Sequence, residues 1–363
     1  MIRVGLVGFG MAGRVFHAPL ISSVEGLELA AVVERHTDQA ALRYPGIETY
    51  RSLDAMLDDA SLGLIVVATP TGSHFEVTRQ ILEAGKSVVV DKPMAVSSTD
   101  IARLIVLANE RGGLLAPFHN RRWDGDLRTI KKLLNEGHLG RLVHLESNFD
   151  RWRPVPKTGT WREDPAPGSG ILLDLGTHLA DQALLLFGLP EAVGAEIGRE
   201  RDGRCQLQDQ NSVDSFTLRL RYPGFSVALG GNCLTALLRP RFHLRGTNGN
   251  FWKYGLDPQE AALNQITRIH IANWGHEASV HWGTLAVDAG GAMVTRPVEP
   301  IPGDYRLFYL GIREALLGNS PPPVTAVEAW RVARLLEWAT ASSDERREIP
   351  CDWSQEPNKS SVS

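Results

Sequence analysis

The chain has 363 residues, a length that suits two domains better than one core. A hydrophobic content of 43% and a charged content of 22% are those of an ordinary globular protein, and a net charge of −4 gives no electrostatic case for nucleic acid or an anionic membrane as partner. Cys205, Cys233 and Cys351 are scattered, with no CxxC pair and no histidine at ligand spacing, so a reducing cytoplasm is expected and a disulfide framework or bound metal is not.

The N-terminus opens directly on a strand without a signal-peptide pattern, and no apolar run approaches the roughly 20 residues of a bilayer crossing. Over residues 1–120 short apolar runs alternate with amphipathic segments. Strands are predicted at Ile2–Val7, Leu29–Val33, Leu64–Ala68, Ser87–Val90 and Leu114–Phe118, and helices at Ser52–Asp58, Phe75–Ala84 and Thr99–Glu110. In the last, Ile101, Leu104, Ile105 and Ala108 form a helical stripe. Val/Ile-rich strands without alternation are buried on both faces, so the fold class is α/β and begins with a doubly wound parallel sheet.

From residue 121 to 352 the texture changes. Helix Asp126–Glu136 leads into strand Arg141–Asn148, then a Trp/Arg/Pro-rich loop, then a helix around Leu173–Phe187. Ser215–Tyr222 and Phe225–Leu229 alternate like antiparallel strands about a Pro223-Gly224 turn. Further strands are expected at Arg241–Arg245 and at Ala292–Arg296, the latter stopped by Pro297, and helices at Tyr305–Leu317 and, initiated by proline, Ala326–Thr340. Residues 353–363 are a polar tail.

Three motifs carry chemistry. Gly8-Phe9-Gly10-Met11-Ala12-Gly13 lies between a strand and a helix, the setting in which glycines cradle a dinucleotide pyrophosphate at a helix N-terminus. Glu34, at the end of the second strand, can accept the adenosine ribose hydroxyls and favours NAD, whereas Arg35 beside it could bind the 2′-phosphate of NADP. Ala68 and Thr69 end the next central strand on the ligand-binding edge of the sheet, and Thr69 and His74 either touch the cofactor or cap the following helix. Asp91-Lys92-Pro93 places a lysine at the same edge, where its ammonium can stabilise charge growing on a carbinol oxygen. Asp174 and His178 are four residues apart on a predicted helix, so the carboxylate can orient an imidazole base; the competing reading is an N-cap and a core histidine.

His119-Asn120-Arg121-Arg122-Trp123 should lie on the crevice rim, with Asn120, Arg122 and Trp123 toward the cofactor and Asn120 also toward substrate. The loop that carries Arg153 and Trp161 interleaves rings and guanidinium groups, which suits a hydroxyl-rich ring substrate, a domain hinge or an oligomer contact.

With these residues assembled, the chain resembles the Gfo/Idh/MocA oxidoreductases over almost its full length. The resemblance implies NAD(P) dependence and a Rossmann domain followed by an α/β domain with a large, open, mostly antiparallel sheet. Asp91-Lys92-Pro93 matches the family's E-K-P motif, with Asp for the usual Glu, and Asp174, Gly176 and His178 match D-x-G-x-H. It implies Lys92 and His178 as the catalytic pair, Asp174 in support, a cis Lys92–Pro93 bond, and homodimers or homotetramers built through the second-domain sheet. Gly13-Arg14-Val15-Phe16-His17-Ala18-Pro19-Leu20 and His119–Asp124 look most like the scyllo-inositol dehydrogenase branch, which raises cyclic polyols and sugars above other substrates. A non-catalytic dinucleotide sensor on the same scaffold is the rival reading.

Overall fold

The computed structural model describes residues 1–357 except 158, 161–162, 164–165, 203–211 and 271. Six parallel strands, β1 (Ile2–Val7), β2 (Leu27–Val33), β3 (Glu48–Tyr50), β4 (Leu62–Val67), β5 (Ser87–Asp91) and β6 (Leu115–Phe118), form one sheet in the order β3-β2-β1-β4-β5-β6. The order reverses beside β1, so the carboxyl ends of β1 and β4 open a crevice. Leu64, Ile65, Val66 and Val67 are fully buried, the expected signature of a strand covered on both faces. Helix Leu53–Leu57 is capped by the Ser52 side chain and helix Ser98–Arg111 by that of Ser97. Gly112, left-handed at φ 66°, ends the latter. Strand β3 was not predicted: it is a three-residue edge strand, Glu-Thr-Tyr, with no apolar run to announce it.

The second sheet has nine strands: β7 (Leu142–Asn148), β8 (Ala192–Gly198), β9 (Ser215–Tyr222), β10 (Phe225–Asn232), β11 (Phe242–Gly246), β12 (Gly249–Lys253), β13 (Gly283–Asp288), β14 (Met293–Val298) and β15 (Ile349–Pro350). Their order is β14-β13-β12-β11-β7-β10-β9-β8-β15, antiparallel throughout except for the β7–β10 pair. Tyr222 pairs with Phe225 across the Pro223-Gly224 turn, where Gly224 takes φ 80°. Phe216, Leu218, Leu220 and Tyr222 point into the core, while Thr217, Arg219 and Arg221 face outward. Strand β14 continues through Pro297 rather than stopping before it, because on an edge strand the missing N–H leaves no ladder bond unmade. Strands β8, β12 and β13, each containing glycine, escaped prediction.

The last helices tie the two sheets together. Helix Arg306–Leu316 sends Phe308, Tyr309 and Ile312 into the core beneath β1 and β4. Helix Ala326–Glu345 begins at a Thr325–Glu328 capping box rather than at a proline. It packs Ala329 and Trp330 against the parallel sheet and Val332, Leu335, Leu336 and Ala339 against the antiparallel one. Among the described residues no helix is long and apolar enough to cross a membrane.

Candidate active site

The carboxyl edge of the parallel sheet opens into a cleft of about 830 Å³, within the range of ligand sites. Of the residues singled out above, Gly8, Phe9, Gly10, Met11, Ala12, Glu34, Arg35, Ala68, Thr69, His74, Asp91, Lys92 and Asp174 line it. Gly13, Asn120, Arg122, Trp123, Arg153 and His178 do not, and Trp161 lies outside the described residues.

The glycine turn fits a pyrophosphate. Gly8 takes φ 98°, and a Cβ on it would stand 2.9 Å from the carbonyl oxygen of Ala68. A Cβ at Gly13 would overlap the carbonyl of Gly8, so Gly13 serves the packing of helix on strand. Gly10 has nothing within 4 Å of where a Cβ would go although it lines the cleft, so its bare backbone leaves room for a ligand and not for a protein neighbour. The chain then turns through a π-helical segment, Gly13–His17.

Glu34 lines the cleft and is also held by its own loop. Its carboxylate accepts the Thr37 hydroxyl at 2.5 Å and the Ala40 N–H at 2.7 Å, one bond to each oxygen, and the residue is only 7% exposed. It anchors the loop after β2 and the start of the short helix that follows. Arg51 holds the same loop through the carbonyls of Glu34 and Thr37 and the Asp38 carboxylate. Arg35 and His36 remain exposed at the cleft.

At the reacting end, Lys92 follows β5 with a cis bond to Pro93. Its ammonium donates to Asp174 twice, at 2.9 Å to Oδ1 and 2.6 Å to the backbone carbonyl. Arg151 approaches the other carboxylate oxygen at 3.4 Å. The pairing of Asp174 with His178 expected from their spacing is not made, and Nδ1 of His178 is buried without a partner. The cause is local: Leu172–Gly176 is a π-helical turn, so residues four apart no longer stack as on an α-helix. Burial, then the charge of Lys92, then Arg121, His119 and Arg241, hold the His178 pKa well below the usual histidine value. The imidazole is therefore neutral near pH 7 and able to accept a proton.

Asp91 is anchored by the Lys92 N–H at 2.7 Å. Although burial pushes its pKa upward, His17, Lys92 and His74 together bring it below the ordinary carboxylate value. The rim residues form a structural cluster. Arg122 is bound by Asp181 at 2.6 and 2.9 Å and by Glu328 at 2.7 Å. Trp123 packs edge-on against Phe308 at 5.8 Å. Asn120 is buried and Arg153 exposed, its N–H bonded to Cys233. Arg151, Thr37 and Ser52 were not singled out. For Arg151 the Trp/Arg loop was the available signal, but it could not say which arginine turns inward.

Comparison with known proteins accords with this geometry. Residues 2–119 match the family model described as an oxidoreductase family NAD-binding Rossmann fold, and residues 131–351 match the C-terminal alpha/beta domain of the same family. The uncharacterized oxidoreductase YdgJ of Escherichia coli K12 is 40% identical over 95% of this chain and 97% of its own length. The scyllo-inositol 2-dehydrogenase (NADP(+)) IolW of Bacillus subtilis is 35% identical over 96% of this chain and 95% of its own. The solved structure of yvaA from Bacillus subtilis superposes with a TM-score of 0.89 at 34% identity, covering 97% of this chain and all of that one.

Proposed function

This chain belongs to the Gfo/Idh/MocA oxidoreductase family, and on that premise we propose that it interconverts a secondary alcohol of a cyclic polyol or sugar with its ketone. The observation that supports this reading most is Lys92 held by Asp174 in the dinucleotide cleft, with a neutral, buried histidine among its charged neighbours. When bound, the dinucleotide supplies a nicotinamide ring that takes the hydride from the carbinol carbon. Lys92 donates a hydrogen bond to the carbinol oxygen and stabilises the negative charge that grows there. His178 accepts the hydroxyl proton, and Asp174 holds the ammonium in place. A panel of inositols and sugars, followed by nicotinamide absorbance, tests the assignment. Turnover of at least one cyclic polyol or sugar is the expected result, and activity confined to acyclic alcohols would refute it.

The cofactor end favours NADP. Glu34 is tied to its loop through Thr37 and Ala40, while Arg35 and His36 are exposed at the cleft. A guanidinium there can take a 2′-phosphate bidentately. NADPH should quench intrinsic fluorescence at lower concentration than NADH, and Arg35→Ala should weaken NADPH binding about tenfold while sparing NADH. Tighter binding of NADH by the unaltered protein would reverse this assignment.

A further inference from the structure

His74 opens the helix His74–Glu83, is only 1% exposed, and has a backbone carbonyl at each ring nitrogen. Nδ1 lies 2.8 Å from the carbonyl oxygen of Pro93, and Nε2 lies 2.8 Å from that of Thr69. A carbonyl oxygen only accepts, and a neutral imidazole has one N–H and one lone pair. A neutral ring would therefore set a lone pair against a carbonyl lone pair at hydrogen-bonding distance, on a ring that is only 1% exposed. A ring with both nitrogens protonated satisfies both carbonyls at once.

The two carbonyls are not arbitrary. Thr69 lies just beyond β4, on the wall of the dinucleotide cleft, and Pro93 directly follows Lys92. We infer that His74 is a doubly protonated positioning residue whose imidazolium bridges the Thr69 and Pro93 carbonyls, fixing the turn that carries Lys92 against the cofactor-binding loop. Burial, with a smaller push from His17, outweighs Asp91 and the two carbonyls and draws the His74 pKa below the usual histidine value, so the imidazolium rests on the two acceptor contacts and not on the electrostatic balance. His17 also approaches Asp91, at 3.9 Å, and its Nδ1 lies 2.6 Å from the Tyr309 hydroxyl. Lys92 is the remaining cation beside Asp91. The contact geometry decides for the imidazolium.

This inference rests on the proposed role of Lys92 only where it predicts kinetics. Nitrogen-15 spectra of histidine-labelled protein, with the His74 signals assigned by loss in His74→Gln, read the protonation state directly. The imidazolium pattern should persist at pH 8, above the ordinary histidine pKa of about 6.5. A neutral-tautomer pattern at pH 7 overturns the inference, and this result does not depend on turnover. In the polyol assay, His74→Gln keeps one donor and should lower kcat roughly tenfold, with dinucleotide affinity within about threefold of the wild type. In the proposed mechanism activity falls at high pH as the Lys92 ammonium loses its proton, and removing a nearby cation should move this alkaline limb to higher pH. An unmoved limb with a lowered melting temperature would reduce His74 to a neutral packing residue. Absence of any turnover in the unaltered protein would sink the proposed function and leave the imidazolium standing.

Discussion

The dinucleotide end of the cleft comes from short backbone turns after β1, β2 and β4, whereas the reacting end gathers Lys92 from the end of β5, Arg151 from the loop after β7, and Asp174 and His178 from the helical stretch Leu172–Phe187. At the first, backbone decides: a left-handed glycine, a glycine that no side chain can replace, and a glycine over open space. At the second, the decision is which side chain pairs with which. One turn of helix wound with a different period moved Asp174 from His178 to Lys92. Backbone devices are robust and legible; side-chain pairings hinge on a few tens of degrees of helical rotation.

The largest expected effect breaks the reacting end. Lys92→Ala should lower kcat by about 100-fold or more while leaving dinucleotide affinity nearly intact, because in the proposed mechanism the ammonium acts on charge that appears only in the transition state. A variant that keeps more than about a tenth of wild-type kcat would remove Lys92 from the mechanism. The matching change at the other end is Gly13→Ala. The added methyl overlaps the Gly8 carbonyl, which is backbone and cannot rotate away, so dinucleotide affinity should fall about 10-fold or more. Titration of fluorescence with NADPH checks it, and unchanged affinity would mean that the turn relaxes freely.

Glu34→Ala sharpens the contrast within the cofactor end. If the carboxylate is a loop anchor, losing its bonds to Thr37 and Ala40 should cost about 2 kcal/mol of stability in a denaturant melt. A large loss of dinucleotide affinity with unchanged stability would restore it as a ribose ligand.

A smaller effect follows pH. His178 is buried with its pKa well below the ordinary histidine value of about 6.5, so the unfolded chain takes up the proton first as pH falls. The stability contributed by the neutral ring is complete above the unfolded-state pKa and is lost as pH drops from there toward the folded one. Oxidation should weaken in the same direction, with its acidic limb below pH 6.5. Melting curves and kcat between about pH 5 and 8 check both signs, and an acidic limb above pH 7 contradicts them.

Much of this was legible in the sequence. The boundaries of β1 and β9 coincide with their hydrophobic runs, and the spacing of Gly8, Gly10 and Gly13 located the dinucleotide turn. Residue types do not report a π-helical turn, so the Asp174–His178 pairing, sound for an α-helix, failed. A carboxylate at the end of β2 does not announce from sequence that Thr37 and Ala40 of its own loop will also bond to it. Arg122 likewise read as a rim cation until Asp181 and Glu328, 59 and 206 residues away, enclosed it.

The central claim is that Asp174 serves the lysine and not the histidine. A pair of double-mutant cycles on kcat tests it most directly, combining Asp174→Asn with Lys92→Arg in one and with His178→Gln in the other. The account predicts strong non-additivity in the lysine cycle, because either change disrupts the same 2.9 Å ion pair, and near-additive losses in the histidine cycle. Coupling confined to the Asp174–His178 cycle, with additive losses for Asp174 and Lys92, would contradict it.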